Sequence, residues 1–258
     1  MRSHKMNSLT VIVITHNEER NISECLESTK WADEIIVVDS NSSDNTIRLA
    51  KKYTTKVFTK EWKGYSEAKN FAIDRATNNW ILSVDADERV TPELSDEINL
   101  ILRNPRSKYN AYEVGRRAYF LGKWIRHCGW YPGYVVRLFK RQEGRYNESR
   151  VHEKLEVKGT IGRLKNDLIH LTDRDLFHYF SKYNNYTSLA AQDLFENNRK
   201  FRNTDIVFRP VFAFIKMYFL RLGFLDGIHG FVLCFLSASY VFTKYAKLWE
   251  KYLMKNRK

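Results

Sequence analysis

Leu9-Thr10-Val11-Ile12-Val13-Ile14-Thr15, followed by His16-Asn17-Glu18-Glu19, is the stretch from which the fold can be read. It is a β-branched run with no apolar–polar alternation. A strand exposed on one face would alternate, so this one is expected to be buried on both faces, as in a parallel sheet. Asn17 suits a helix cap, with Glu18 and Glu19 favourable in the first turn. Ile22, Cys25 and Leu26 follow at helical spacing. Working outward, Glu34-Ile35-Ile36-Val37-Val38-Asp39 is a second buried strand, Lys56–Thr59 a short third and Trp80–Val84 a fourth. Ile47, Ala50 and Tyr53 mark one intervening helix. Ala68, Phe71, Ala72 and Ala76 mark another. Thr91-Pro92 opens a further helix through Leu94, Ile98 and Ile101, with proline at its first position. Strand and helix thus alternate four times, which is the pattern of βαβ units around a parallel sheet.

Ligands of such sheets bind beyond the C-terminal ends of the strands. The polar residues there are Thr15 to Glu18, Asp39 to Asp44 and Asp85-Ala86-Asp87-Glu88. Two carboxylates one residue apart can share a divalent cation. Oxygen ligands of this kind suit Mg²⁺ or Mn²⁺, which keep waters and complete their shell from a diphosphate. The competing reading is a plain acidic loop. Asp39 can accept from a base N–H or a ribose hydroxyl. Lys69-Asn70 adds a cation and an amide, against the alternative of an ordinary helix surface.

Beyond about residue 108 the texture changes. Segments 109–114, 135–139 and 151–157 read as strands of a mixed, more antiparallel region, and 174–199 as a long helix. From Ile206 to Lys258 the pattern is a pair of apolar-aromatic helices broken near Gly223 and Gly227–Gly230. The charge follows these divisions. The chain of 258 residues carries +13 overall, but residues 1–115 carry −2, residues 116–165 carry +9 and residues 196–258 carry +8. An apolar fraction of 43% excludes disorder, and only 4 Pro and 11 Gly exclude fibrous classes. Cys25, Cys128 and Cys234 form no CxxC pair, which argues against a disulfide framework or a cysteine zinc site and for a reducing compartment. The start of the chain has no secretory leader pattern. In the tail, the longest run without an ionisable Asp, Glu, Lys or Arg is Gly227 to Thr243, 17 residues. A spanning helix needs about 20. Phe212, Phe214, Tyr218, Phe219 and Phe224, mixed with Arg209, Lys216 and Arg221, suit an interfacial helix on an anionic leaflet. Packing of the same aromatics on the domain is the alternative.

Thr15-His16-Asn17-Glu18-Glu19, Val37-Val38-Asp39-Ser40-x-Ser42-x-Asp44-x-Thr46, Ala68-Lys69-Asn70 and Val84-Asp85-Ala86-Asp87-Glu88 resemble, in order and spacing, the nucleotide-sugar domain of family-2 inverting glycosyltransferases. Trp130-Tyr131-Pro132, Arg137-Leu138-Phe139, Val151-His152-Glu153 and Gly223-Phe224-Leu225-Asp226-Gly227 are similar to a branch that builds bacterial lipopolysaccharide core. The resemblance implies the GT-A fold, a Rossmann-like mixed α/β sheet with helices on both faces, here with a C-terminal helical extension. It implies a nucleotide-sugar half at 1–108 and an acceptor half at 109–200, and the aromatic and basic pattern above reads 201–258 as membrane-surface helices. By position, Thr15, Asn17 and Glu18 would line a uridine pocket, and Asp39 would read the uracil. Lys69 and Asn70 would flank the nucleotide, Asp85 would lie near the ribose, and Asp87, with Asp85, would hold Mg²⁺ or Mn²⁺. His16 stands where the family frequently has Tyr.

Inversion needs one base to deprotonate the acceptor hydroxyl, and no protein acid when cations stabilise the departing diphosphate. Glu153 is the candidate base, with Glu88 a weaker rival and a salt bridge the alternative for Glu153. Trp130, Arg137 and His152 are candidate acceptor contacts; each also has a structural reading, as core aromatic, snorkelling surface cation and hydrogen-bonded histidine. His170 is a further candidate for a metal or phosphate contact. The implied partners are a UDP-sugar, a glycolipid or lipopolysaccharide core acceptor and an anionic membrane. The implied location is the bacterial cytoplasm, peripheral at the inner membrane. A basic nucleic-acid-binding module is the rival class, but it lacks a recognisable motif, and the carboxylates would repel a phosphate backbone. No nucleic-acid partner is therefore expected. A nucleotidyltransferase is disfavoured because no glycine follows the first strand until Gly64.

Overall fold

The structure is a computed structural model that describes residues 7–104, 107–147 and 154–255. The chain begins β1 (Leu9–Thr15), α1 (Ile22–Thr29), β2 (Glu34–Asp39), α2 (Thr46–Ala50), β3 (Val57–Thr59), α3 (Tyr65–Arg75), β4 (Trp80–Asp85), β5 (Glu88–Val90), α4 (Pro92–Arg103). It continues with β6 (Ala111–Phe120), β7 (Lys123–Trp124), β8 (Val135–Lys140), β9 (Gly144–Tyr146), β10 (Leu155–Val157), β11 (Ile161–Asp173), α5 (Leu176–Glu196) and α6 (Asn203–Ile215). A π-helical turn (Lys216–Leu220) and a 3-10 turn (Gly223–Asp226) lead into α7 (Gly227–Lys255). Two compact units result. One comprises residues up to 116 together with 134–170. The other comprises 117–133 and 171 onward. These divisions do not coincide with the sequence boundaries at 108 and 200, because strands 135–140 and 161–170 join the first unit.

In the first unit the strand order is β3-β2-β1-β4-β8-β6-β11-β5. β2, β1 and β4 are parallel, β2 also pairs in parallel with β3, and β8 turns the sheet antiparallel on β4. All seven residues of β1 are buried, as the unbroken apolar run requires. Its side chains alternate between two cores. Leu9, Val11 and Val13 meet Ile22, Leu26, Leu94 and Ile98 of α1 and α4. Ile12 and Ile14 meet Ala68, Ala72 and Ile73 of α3, together with Phe139. Helices thus cover both faces, as expected for GT-A. The small residues of α3 let it lie close on the sheet. Thr91 caps α4, its side chain accepting from Leu94 N at 3.2 Å, and Pro92 takes the first turn.

The second unit is helical around its own core of Phe120, Ile125, Cys128, Leu233, Cys234 and Leu236. Asp226 organises it. Its carboxylate accepts from the backbone N–H of His127 at 2.8 Å and of Arg126 at 3.3 Å, and its carbonyl accepts from Lys123 Nζ at 2.8 Å. Gly223 and Gly230 leave no room for a side chain: a Cβ on Gly230 would lie 2.0 Å from Gly223 O. The three cysteines are free and buried; the sulfurs of Cys128 and Cys234, distant in sequence, lie 3.6 Å apart.

Candidate active site

The β1–β2 and β1–β4 registers pair Thr15 with Asp39 and Ile14 with Asp85, so these residues share one end of the parallel strands. Asn17 does not cap α1, which begins only at Ile22. It adopts a left-handed backbone (φ 54°), where asparagine is among the more tolerant residues, and its Oδ1 accepts from Ser43 N at 2.8 Å. Glu18 N donates to Thr46 Oγ1, and the Glu18 carboxylate accepts from Asn21 at 2.7 Å. Asp39 is fully buried. Its two oxygens accept from Ser42 N (2.8 Å) and Ser42 Oγ (2.5 Å), so it orders the loop beneath the expected base pocket rather than facing open space.

Lys69 projects from α3 and is 2% exposed. Its Nζ lies 3.2 Å from Asp85 Oδ1 and 5.1 Å from the Tyr146 ring centroid. Asn70 clamps β9. It donates to Tyr146 O at 2.9 Å and accepts from Tyr146 N at 3.0 Å, which holds that ring beside Lys69.

Arg137, expected from sequence to face an acceptor or a diphosphate, is instead buried under the carboxylates. It donates to the other oxygen of Asp85 and, at 2.6 Å, to Glu88 Oε1. Glu88 also accepts from Asp85 N at 3.0 Å and has Arg116 at 3.9 Å. It has no exposed surface, so it does not serve as the rival base. Burial opposes ionisation of both Asp85 and Arg137. Their mutual attraction prevails, holding the Asp85 carboxyl well below the usual carboxylate range, with Lys69 assisting, and the Arg137 guanidinium well above its own.

Both Asp85 oxygens are therefore engaged by cations, whereas Asp87 meets His170 Nε2 at 3.5 Å. Burial disfavours the charged imidazole of His170, but Asp87 more than compensates and raises its pKa. Among the described residues, no three His, Cys, Asp or Glu side chains form a metal cage. A partly exposed carboxylate–imidazole pair, oxygen and nitrogen donors, nevertheless fits a cation that takes the rest of its shell from diphosphate and water. Three buried polar atoms of the same unit also lack protein partners: Thr15 Oγ1 at the end of β1, Ser66 Oγ in the first turn of α3 and Tyr146 OH.

Trp130 packs in the second unit's core, 6.2 Å from Phe120. His152 and Glu153 lie outside the described residues. Sequence reasoning missed Arg116, Tyr146 and Arg89. The last is 8% exposed, donates to the carbonyls of Ala86 and Glu88, and meets Glu24 and Asn21, fixing the turn after Asp85. Its position next to Asp87-Glu88 was the only available signal.

Residues 10–155 match the family model for glycosyl transferase family 2. The lipopolysaccharide core biosynthesis glycosyltransferase LpsC of Rhizobium meliloti is 29% identical over 96% of this chain and 94% of its own length. An uncharacterized glycosyltransferase of Rickettsia typhi is 31% identical over 95% of this chain and 88% of its own length. Among solved structures, the mannosyltransferase PcManGT from Pyrobaculum calidifontis, in complex with GDP-Man and Mn²⁺, superposes with a TM-score of 0.56 at 15% identity, covering 94% of this chain and 87% of that one.

Proposed function

The chain belongs to glycosyl transferase family 2, and from that premise we propose that it is an inverting hexosyltransferase. The donor is a UDP-sugar, glucose being the first choice, and the acceptor is a lipopolysaccharide inner-core heptose or a related lipid-linked saccharide. The observation that carries the reading is the charged cluster of Lys69, Asp85, Asp87, Glu88, Arg137 and His170 at the C-terminal ends of the parallel strands. The name of LpsC supports the lipopolysaccharide acceptor, and the GDP-Man and Mn²⁺ of PcManGT support a nucleotide-sugar with a divalent ion. The acceptor locates the enzyme at the cytoplasmic face of a bacterial inner membrane.

In this reading Thr15, Asn17 and Glu18 border the uridine, and Asp39 holds the Ser42 loop against it. Asp85, fixed by Lys69 and Arg137, lies beside the ribose. Asp87 and His170 would hold Mg²⁺ or Mn²⁺, which when bound neutralises diphosphate charge. Ser66 and Tyr146 supply hydroxyls to the same pocket. The acceptor oxygen attacks the anomeric carbon as the bond to the diphosphate oxygen breaks. Its proton passes to the Glu153 carboxylate, and UDP leaves with the bonding electron pair. Attack from the opposite face turns an α-linked donor into a β-linked product. Trp130, Arg137 and His152 were the acceptor contacts suggested by sequence. Of these Arg137 is reassigned to positioning Asp85.

The test is a thermal-shift screen of nucleotide-sugars with and without Mn²⁺, followed by a transfer assay. UDP-glucose with Mn²⁺ is expected to raise the melting temperature, and Asp87→Ala to remove the Mn²⁺-dependent part. Glu153→Gln is expected to bind donor yet lose transfer by at least about a hundredfold. A chain stabilised by no sugar nucleotide sinks the proposal; transfer surviving in Glu153→Gln moves the base elsewhere.

A further inference from the structure

In the second unit, α6 and α7 enclose a groove of about 780 Å³. On the α6 side it is lined by Phe208 and Phe212, 68% and 60% exposed. With Val207, Val211 and Ile215, also exposed, they form one continuous apolar face at helical spacing. No described residue covers that face, and a patch of this kind on a folded domain marks an interaction surface.

The polar residues of the groove identify what lies on it. Lys216 and Lys244 line it, and no carboxylate pairs with either among the described residues. Burial, and then the neighbouring Arg209, holds the Lys244 ammonium below the usual lysine range, so an anion beside it relieves both costs. The one acidic lining residue, Asp205, accepts at Oδ1 from Arg209 Nε at 2.5 Å. The other oxygen, Oδ2, is buried with no donor, in a side chain that belongs to a residue only 7% exposed. A buried carboxylate oxygen of this kind needs a hydrogen-bond donor. Apolar walls, two lysines without a carboxylate partner (Lys244 lies 5.2 Å from the Tyr245 ring centroid) and an orphaned acceptor together match an amphiphile with an acyl chain, a phosphodiester and a headgroup hydroxyl.

We infer that this groove is a phospholipid site that takes phosphatidylglycerol from the membrane leaflet. The acyl chain lies along Phe208 and Phe212, the phosphodiester meets Lys216 and Lys244, and the glycerol hydroxyl donates to Asp205. The inference rests on the reading of a lipid-linked acceptor and specifies how the enzyme reaches it. A second copy of the chain is a poor occupant, because a twofold contact would set these lysines against their own counterparts. The helix pair lies on the bilayer rather than crossing it. The segment Gly223–Lys255 is long and apolar enough to span. However, Leu233, Cys234 and Leu248 bury one side of it in protein, and α5 and α6 both pack along it.

The experiment is co-sedimentation of the full chain with vesicles of phosphatidylcholine alone, of phosphatidylcholine with equimolar phosphatidylglycerol, and of phosphatidylcholine with equimolar phosphatidylmethanol. The last carries the same charge without the hydroxyl. Binding is expected to be strongest to phosphatidylglycerol and to fall at least about tenfold in the Lys216→Gln/Lys244→Gln double variant. The Lys251→Gln/Lys255→Gln variant, equal in charge but away from the groove, is expected to keep most binding. Equal loss in both double variants overturns the site. Equal binding to all three vesicles overturns it too, and equal binding to the two anionic ones overturns the headgroup assignment. Self-association in solution abolished by Phe212→Ser hands the groove to a second copy. Thermal shift with UDP-glucose on the same proteins separates the two proposals. Donor binding kept while vesicle binding is lost isolates the groove. Vesicle binding without UDP-glucose binding leaves the groove standing and removes the UDP-glucose donor.

Discussion

The first unit buries a cluster of paired charges; the second buries only Asp205 and Asp226 among its described charged residues and leaves much of its aromatic surface exposed. Glu88, Lys69 and Arg137 are each at most 5% exposed, yet Phe208, Phe212 and Ile228 are each at least 60% exposed. Desolvating ions is costly unless they are paired and hydrogen-bonded, and exposing phenylalanine sacrifices burial it would otherwise gain. Neither arrangement is what stability alone selects. Each coincides with a proposed ligand site: the nucleotide-sugar at the strand ends and the lipid on the helices.

Substitutions can break or sharpen this contrast. The largest effect is expected from Arg137→Ala, which strands Glu88 as an uncompensated buried carboxylate and frees Asp85. A loss of roughly 3–5 kcal/mol is expected in urea unfolding, and a change under about 1 kcal/mol would show that water already reaches the cluster. Asp226→Ala removes the acceptor for two backbone N–H groups of the second unit. A loss of about 1–3 kcal/mol is expected, together with faster proteolytic cleavage between residues 123 and 133. Unchanged proteolysis would mean that other contacts hold that loop. Phe212→Ser should change stability by no more than about 0.5 kcal/mol, because the ring is mostly in solvent. A large loss would show that the face is structural.

The parallel strands were legible because burial on both faces leaves an unbroken apolar run, as in Val11 to Ile14. The cap at Thr91 was legible because Thr-Pro is a local signal. Asn17 was misread as a cap because its left-handed backbone is set by Ser43, 26 residues away. β11 was missed although it delivers His170 to Asp87. Lys165, Asn166 and Asp167 interrupt its apolar pattern, and its burial is patchy along its length. Arg137 was recognised as important, but its burial depends on partners 49 and 52 residues distant. Motif residues were found; what each one touches depends on long-range pairing, which spacing does not encode.

The Asp85–Arg137–Glu88 chain has an electrical consequence. With Asp87 it supplies three carboxylates, and Lys69, Arg116 and Arg137 supply three fixed cations, so this centre is close to neutral before any nucleotide arrives. Opposite charges a few ångströms apart produce a field that dies away within a few more. A diphosphate is therefore drawn in by contact, not from a distance. Long-range attraction belongs instead to the net positive segments 116–165 (+9) and 196–258 (+8), which act over a screening length of about 8–10 Å. Under the proposed donor and lipid sites, finding the membrane is separate from recognising the donor, and salt is expected to act on the first far more than on the second.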